Sequence, residues 1–154
     1  MPRRELTFLD YADVIAEIDR LAGGGYERTG QWTLGQICRH LSYYMLGSLE
    51  GYPFRLPWII RKLIGGRLLR KLLSDAPMPS GKPTVPASRP PDHVPEERAV
   101  AEARELLERL RAHTGPVHPS PIFGTLTPEQ ARALHLKHAA HHLGFLVPKE
   151  TGGG

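Results

Sequence analysis

Four of the chain's eight histidines fall in one short stretch, LHLKHAAHHLGFL at 134–146. Imidazole binds transition metals and moves protons near neutral pH, so this density is the first chemical signal in the sequence. His138 and His142 stand four residues apart. On a helix both rings reach one point beside the axis, the spacing by which two histidines share a zinc ion. A hydrolase of the His-Glu-x-x-His type is excluded, because Ala139 supplies no general base. At about 100° per residue, His142 lies about 20° and His138 about 60° from His135. All three sit in an apolar face with Leu136, Ala139, Leu143 and Leu146, flanked by Ala131, Leu134 and Phe145. His141 stands at the edge of that face, towards Lys137 and Gln130. Inward imidazoles need partners, since an unpaired buried polar group costs roughly 1–3 kcal/mol.

Metal sites in helical bundles draw ligands from facing helices. His40 is the one histidine on the second predicted helix, with Ile37 and Tyr44 on its own face, and is the candidate third ligand. The plain alternatives stay open at this point. His138 and His142 fit core histidines with satisfied hydrogen bonds, or a solvated histidine-rich face. His40 fits a boundary residue bonded to a tyrosine or to water.

The elements that must position these residues read as helices. Val14, Ile15, Ile18 and Leu21 give a helical period over 10–21, stopped by the glycines at 23–25. Thr33 with Gln36 forms a capping box, predicting a helix from there to about Leu49, ended by Gly51 and Pro53. Residues 57–74 predict two short basic helical pieces separated at Gly65-Gly66. Seven prolines between 75 and 95 predict an extended loop with no regular structure. Glu96 to His113 is amphipathic. Thr127, Pro128 and Gln130 open a last helix expected to reach about Val147, before a flexible tail at 148–154. With no convincing strand, the fold class is all-α, a single bundle domain over 1–154.

Bulk properties narrow the function classes. A chain of 154 residues suits one domain with a real core. Its net charge of +4 is a mild basic bias that does not by itself point to nucleic acid. Cys38 is the single cysteine, which excludes an internal disulfide and multi-thiolate metal sites. Neither a secretory leader nor an apolar run long enough to span a bilayer is visible, so a cytoplasmic protein is the expectation.

Two motifs carry a family resemblance. WTLGQICRHL and LHLKHAAHHLGFL, separated by most of the domain, resemble the DinB-like superfamily of four-helix bundles. The second motif is similar to that superfamily's His-x-x-x-His-x-Gly ending, here His138, His142 and Gly144. The first is similar to its tryptophan followed by His-Leu, here Trp32 and His40-Leu41. The segment 118–146 looks closer still to an uncharacterised subfamily, a domain of unknown function. The resemblance implies a divalent metal held by His40, His138 and His142, and relatives that include S-transferases using low-molecular-weight thiols, hydrolase-like and isomerase members. The Pro-rich insertion and the basic segment depart from the pattern, so neither the pocket nor the thiol cofactor carries over. Three neutral imidazoles would leave Zn²⁺ or Ni²⁺ with open positions for water or thiol. His141 is then a candidate for supporting a ligand or carrying a proton, and His135 for lining the cavity or holding structure.

Other features weigh less. Arg55, Arg61, Lys62, Arg67, Arg70 and Lys71 share the segment 55–71 with Trp58, Ile59, Ile60, Leu63, Ile64, Leu68 and Leu69, and with no acidic residue. Such a segment fits an anionic membrane or an acidic substrate, and more commonly covers a core with its charges solvated. His118 precedes the last helix and is a candidate for the open end of the site, while His93 and His113 read as surface residues. Cys38 points about 160° from His40 and reads as a small core residue. Two function classes remain: a metal-dependent enzyme acting on a small molecule, with a homodimer left open, and a non-catalytic interaction protein that uses 55–71 while its histidines are structural.

Overall fold

The structure, a computed structural model, describes residues 2–79 and 85–150. Helix α1 (Tyr11–Gly24) starts at Asp10, whose carboxylate accepts from the Asp13 amide while the Asp13 carboxylate accepts from the Asp10 amide. It stops where Gly25, at φ 80°, returns its N–H to Leu21 O. Helix α2 (Leu34–Glu50) has the expected Thr33–Gln36 capping box and ends at Gly51, φ 100°. Helix α5 (Glu96–Ala112) places Glu96 and Glu97 in its first turn and Arg109 and Arg111 in its last, the order that suits the helix dipole. Helix α6 (Pro128–Leu143) opens with the expected Thr127–Gln130 box.

These four helices supply one core. Val14, Ile18 and Leu21 of α1 meet Leu34, Ile37 and Leu41 of α2, the Ala99–Ala103–Leu107 row of α5, and Leu136, Ala139 and Leu143 of α6. Helix α2 packs most extensively on α5, and also lies along α6. Gly35 permits the close start of α2 beside α5, because a Cβ there would lie 3.0 Å from Glu96 Cα. The α2–α6 contact brings His40 opposite His138 and His142.

The expectation of no strand is corrected. Strand β1 (Tyr26–Arg28) pairs antiparallel with β2 (Leu146–Pro148), matching Glu27 with Val147. Helix α6 therefore stops at Leu143, four residues short of Val147. Gly144 marks the break: its carbonyl accepts from Arg4 N–H at 2.8 Å, and Arg4 Nε donates to Leu146 O. Pro148, expected at the start of a flexible tail, is the last residue of β2; residues 151–154 of that tail lie outside the described residues.

Residues 57–74 also differ. Helix α3 (Trp58–Ile60), a π-turn at Arg61–Gly65 and helix α4 (Gly66–Leu73) run on without interruption at the glycine pair. Gly65 packs against the 120–124 loop, where a Cβ would sit 3.0 Å from Ile122 O, so it serves a close approach and not a break. The proline-rich stretch holds a short 3₁₀ turn at Pro86–Ser88, against the expectation of no regular structure; residues 80–84 of it lie outside the described residues.

Candidate metal centre

His40 leaves the buried face of α2 with 3 % of its surface exposed, and its Nδ1–H donates to the Ser88 carbonyl at 2.9 Å. A carbonyl only accepts, so this bond places the ring proton on Nδ1 and leaves Nε2 with a bare lone pair. That Nε2 lies 3.0 Å from His138 Nε2, which in turn lies 3.1 Å from His142 Nε2. All three ligating atoms fall within 4.8 Å of one another, and among the described residues no carboxylate or thiol joins them. His40 is buried, and His138 and His142 are half-buried.

The fit to an ion follows from proton counting. A single proton on His138 Nε2 serves one of the two contacts and leaves the other unpaired. A cation accepts all three lone pairs at once. At a metal–nitrogen distance of about 2.0–2.1 Å, neighbouring ligands stand roughly 2.9–3.4 Å apart for octahedral to tetrahedral angles, which spans the two observed separations. The rings are also held neutral, the form that ligates. Burial pushes His142 down to about 2, aided by His40, His141 and Arg3. Burial and the neighbouring histidines drive His138 well below the usual imidazole value. Burial lowers His40 as well, partly offset by its bond to Ser88.

Aromatic side chains fix the ring planes. Trp32 stacks on His142 at 5.3 Å between centroids and 25° between planes, and touches His40 at 4.9 Å. Tyr44 stands edge-on to His40 and His138, and its hydroxyl donates to Ser88 Oγ at 3.1 Å. Tyr44 therefore braces the residue that holds His40, where a direct tyrosine–histidine bond was one expectation.

The remaining histidines separate clearly. His141 packs against the rings of His142 and Phe145, and its Nδ1 faces Arg3 Nη1, so it contacts the His142 ring without a hydrogen bond to it. Arg3 also donates to Met78 O. Burial, then Arg3, hold His141 down to about 4. His135 bonds Ser48 Oγ at 2.8 Å and is a structural contact between α6 and α2. His118 lies at the C-terminal end of α2, its N–H on Ser48 O and its ring against Gly51, and does not reach the triad. His93 and His113 are exposed. Cys38 is fully buried, and its thiol is pushed up to about 12 by that burial.

Sequence reasoning missed Ser88 and Arg3. Ser88 sits among prolines with no periodicity to mark it, and Arg3 precedes the first helix. Trp32 was visible in the first motif, though its stacking on His142 was not.

The family described as protein of unknown function (DUF1569) matches residues 1–149. The chain belongs to this family. No curated protein and no solved structure matches it. The DUF1569 match spans both histidine motifs and the segments between them, so the triad is assembled wholly within the family domain.

Proposed function

We propose that the chain is a metal-dependent enzyme holding one divalent transition-metal ion, zinc or nickel, through His40, His138 and His142. The carrying observation is the convergence of three neutral imidazole nitrogens, one fixed in its tautomer by Ser88, with His138 Nε2 standing 3.0 and 3.1 Å from the other two, separations that suit a shared ion. A bound ion would lower the pKa of a water or thiol in an open coordination position, giving a nucleophile near neutral pH. The chain's own residues orient and shield. Trp32 and Tyr44 hold the ring planes and form apolar walls beside the triad. His141, with Arg3 at its Nδ1, carries its proton on Nε2 and is the candidate proton carrier.

The packing of α1, α2, α5 and α6 supports a DinB-like four-helix bundle, as the two motifs imply. Within that reading the reaction class is thiol S-transfer or hydrolysis on an electrophilic small molecule, and a low-molecular-weight thiol is a candidate cosubstrate. A cytoplasmic setting suits both. No helix among the described residues is long and apolar enough to cross a membrane.

Elemental analysis of protein purified without a histidine tag tests the site. One ion per chain is expected, lost in His40→Ala and His142→Ala while helical circular dichroism is retained. Stoichiometric metal in both variants would overturn the assignment. Turnover on a panel of electrophiles with thiols, abolished by chelation and restored by Zn²⁺ or Ni²⁺, tests the reaction class.

A further inference from the structure

The apolar residues of 57–73 do not all cover the core. Leu68, Leu69, Leu72 and Leu73 are half-buried, and α4 packs along α6. Lys137 reaches Ser74 O at 2.5 Å from the same helix, and Gly65 and Leu56 fasten the stretch to the 121–122 backbone. The first half of the stretch faces outward instead. Trp58 is 62 % exposed, Ile59 52 %, Leu63 69 % and Ile64 57 %. Ordinary amphipathic packing would bury side chains of this size, and a contiguous exposed group of them marks a contact surface.

The outward face changes character along its length. Ile59 and Leu63 precede Arg67 and Arg70, all four exposed, so the outward surface passes from apolar to basic along the chain. Arg55, Lys62, Arg67, Arg70 and Lys71 are all exposed, and Lys62 Nζ lies 5.9 Å from the Trp58 ring centroid. Arg61 differs from the others: its Nε is buried without a partner and its guanidinium lies towards Gly124. No acidic residue lies between 55 and 71.

We infer that this helix docks the protein on an anionic lipid surface, with Trp58, Ile59, Leu63 and Ile64 inserted at the headgroup boundary and Arg67, Arg70 and Lys71 on the phosphates. Both halves of the face are used by this partner. Apolar side chains enter the interface, tryptophan favours that depth, and each cation near an anionic leaflet raises partitioning by about 5-fold. A second copy of the chain fits less well, because the same face would bring a second set of cations and no carboxylate from this stretch to meet them. Nucleic acid would engage the cations and leave four large apolar side chains in water.

The test is partitioning of the metal-loaded protein onto vesicles of phosphatidylglycerol and phosphatidylcholine, compared with phosphatidylcholine alone. The tryptophan emission of the parent protein should shift to the blue only with the anionic vesicles, and Trp58→Phe, which keeps Trp32 at the triad, should abolish the shift. Leu63→Glu and Arg67→Glu/Lys71→Glu should each lower partitioning at least 10-fold, with circular dichroism and metal content unchanged. High salt should weaken binding of the parent protein. Equal partitioning on both vesicle types, or none on either, would overturn the inference. So would a dimer by sedimentation equilibrium that Leu63→Glu dissociates, or duplex DNA binding that Leu63→Glu leaves intact.

Discussion

His40 Nδ1 and the Ser88 carbonyl meet at 2.9 Å, across 48 residues of chain, and this bond decides which nitrogen of His40 faces the triad. Ser88 is positioned in turn by its own hydroxyl, which donates to Val85 O and accepts from Tyr44. The proline-rich segment is thus the outer support of the histidine triad and more than a connection between helices.

Ser88→Ala keeps the carbonyl and removes the hydroxyl bonds that hold the 3₁₀ turn. Metal stoichiometry should persist while affinity falls about 10-fold, the lower end for residues that orient ligands. Tyr44→Phe should act in the same direction. Because the two groups share one bond, the double variant should lose clearly less than the sum of the single losses. Competition with a chromophoric chelator measures all three, and strict additivity would show that the pair does not act through a common contact.

Metal should stabilise the fold by joining α2 to α6. At a free ion concentration of a hundred times the dissociation constant, the gain is about 2.7 kcal/mol if the unfolded chain does not bind. For this length that is a rise in melting temperature of about 8 °C. Apo and loaded melts at neutral pH should differ by that order in the parent and coincide in His142→Ala. Coincident melts in the parent would favour a hydrogen-bonded histidine core.

Gly144→Ala should destabilise the protein by about 1–3 kcal/mol, the range for overpacking. Its backbone is ordinary helical, at φ −60°, so the constraint is space. A Cβ would stand 2.6 Å from Arg4 O and 3.0 Å from Ala140 O. Arg4 is fixed by Glu17 at 2.6 Å and by the carbonyls of Leu143 and Leu146, so the N-terminal segment cannot yield cheaply. Chemical denaturation measures the loss; an unchanged midpoint would show that the segment moves freely.

The parts legible in the sequence are those with local chemistry behind them. The Thr33–Gln36 and Thr127–Gln130 boxes mark helix starts because a side chain and an amide three residues on satisfy each other, and both are present. The i,i+4 pair His138 and His142 was readable from spacing, with His40 as a candidate partner on the second helix, while the full set of three came from the family resemblance. What was not readable depends on distant partners. Tyr26–Arg28 and Leu146–Pro148 are too short to show alternation, and they pair after the chain leaves α6 at Gly144, whose carbonyl accepts from Arg4 N–H. The helix runs on through Gly65-Gly66, where the missing Cβ at Gly65 admits Ile122 O, and Ser88 gains its role only by lying beside His40.

Acid should destabilise the apo protein through histidines that the fold keeps neutral. Burial holds His135 down to about 4 and, with Arg3, His141 to about 4. In the unfolded chain both titrate near 6.5. Between those values the unfolded state takes up protons that the folded state refuses. Stability from each ring is therefore complete above about pH 6.5 and is lost as pH falls towards 4, with a slope of up to about 1.4 kcal/mol per pH unit for each histidine. The triad histidines add to this in the same direction. Unfolding free energies of chelated protein should fall steadily from pH 7 to pH 4.5, and His135→Gln should reduce the slope by one proton's worth. A slope unchanged by His135→Gln would mean that this ring titrates normally in the fold and is not held neutral beside Ser48. Metal adds a near-constant increment while the folded triad stays neutral, so loaded and apo protein should fall in parallel with pH, and the gap between them should close only where protons compete for the triad nitrogens.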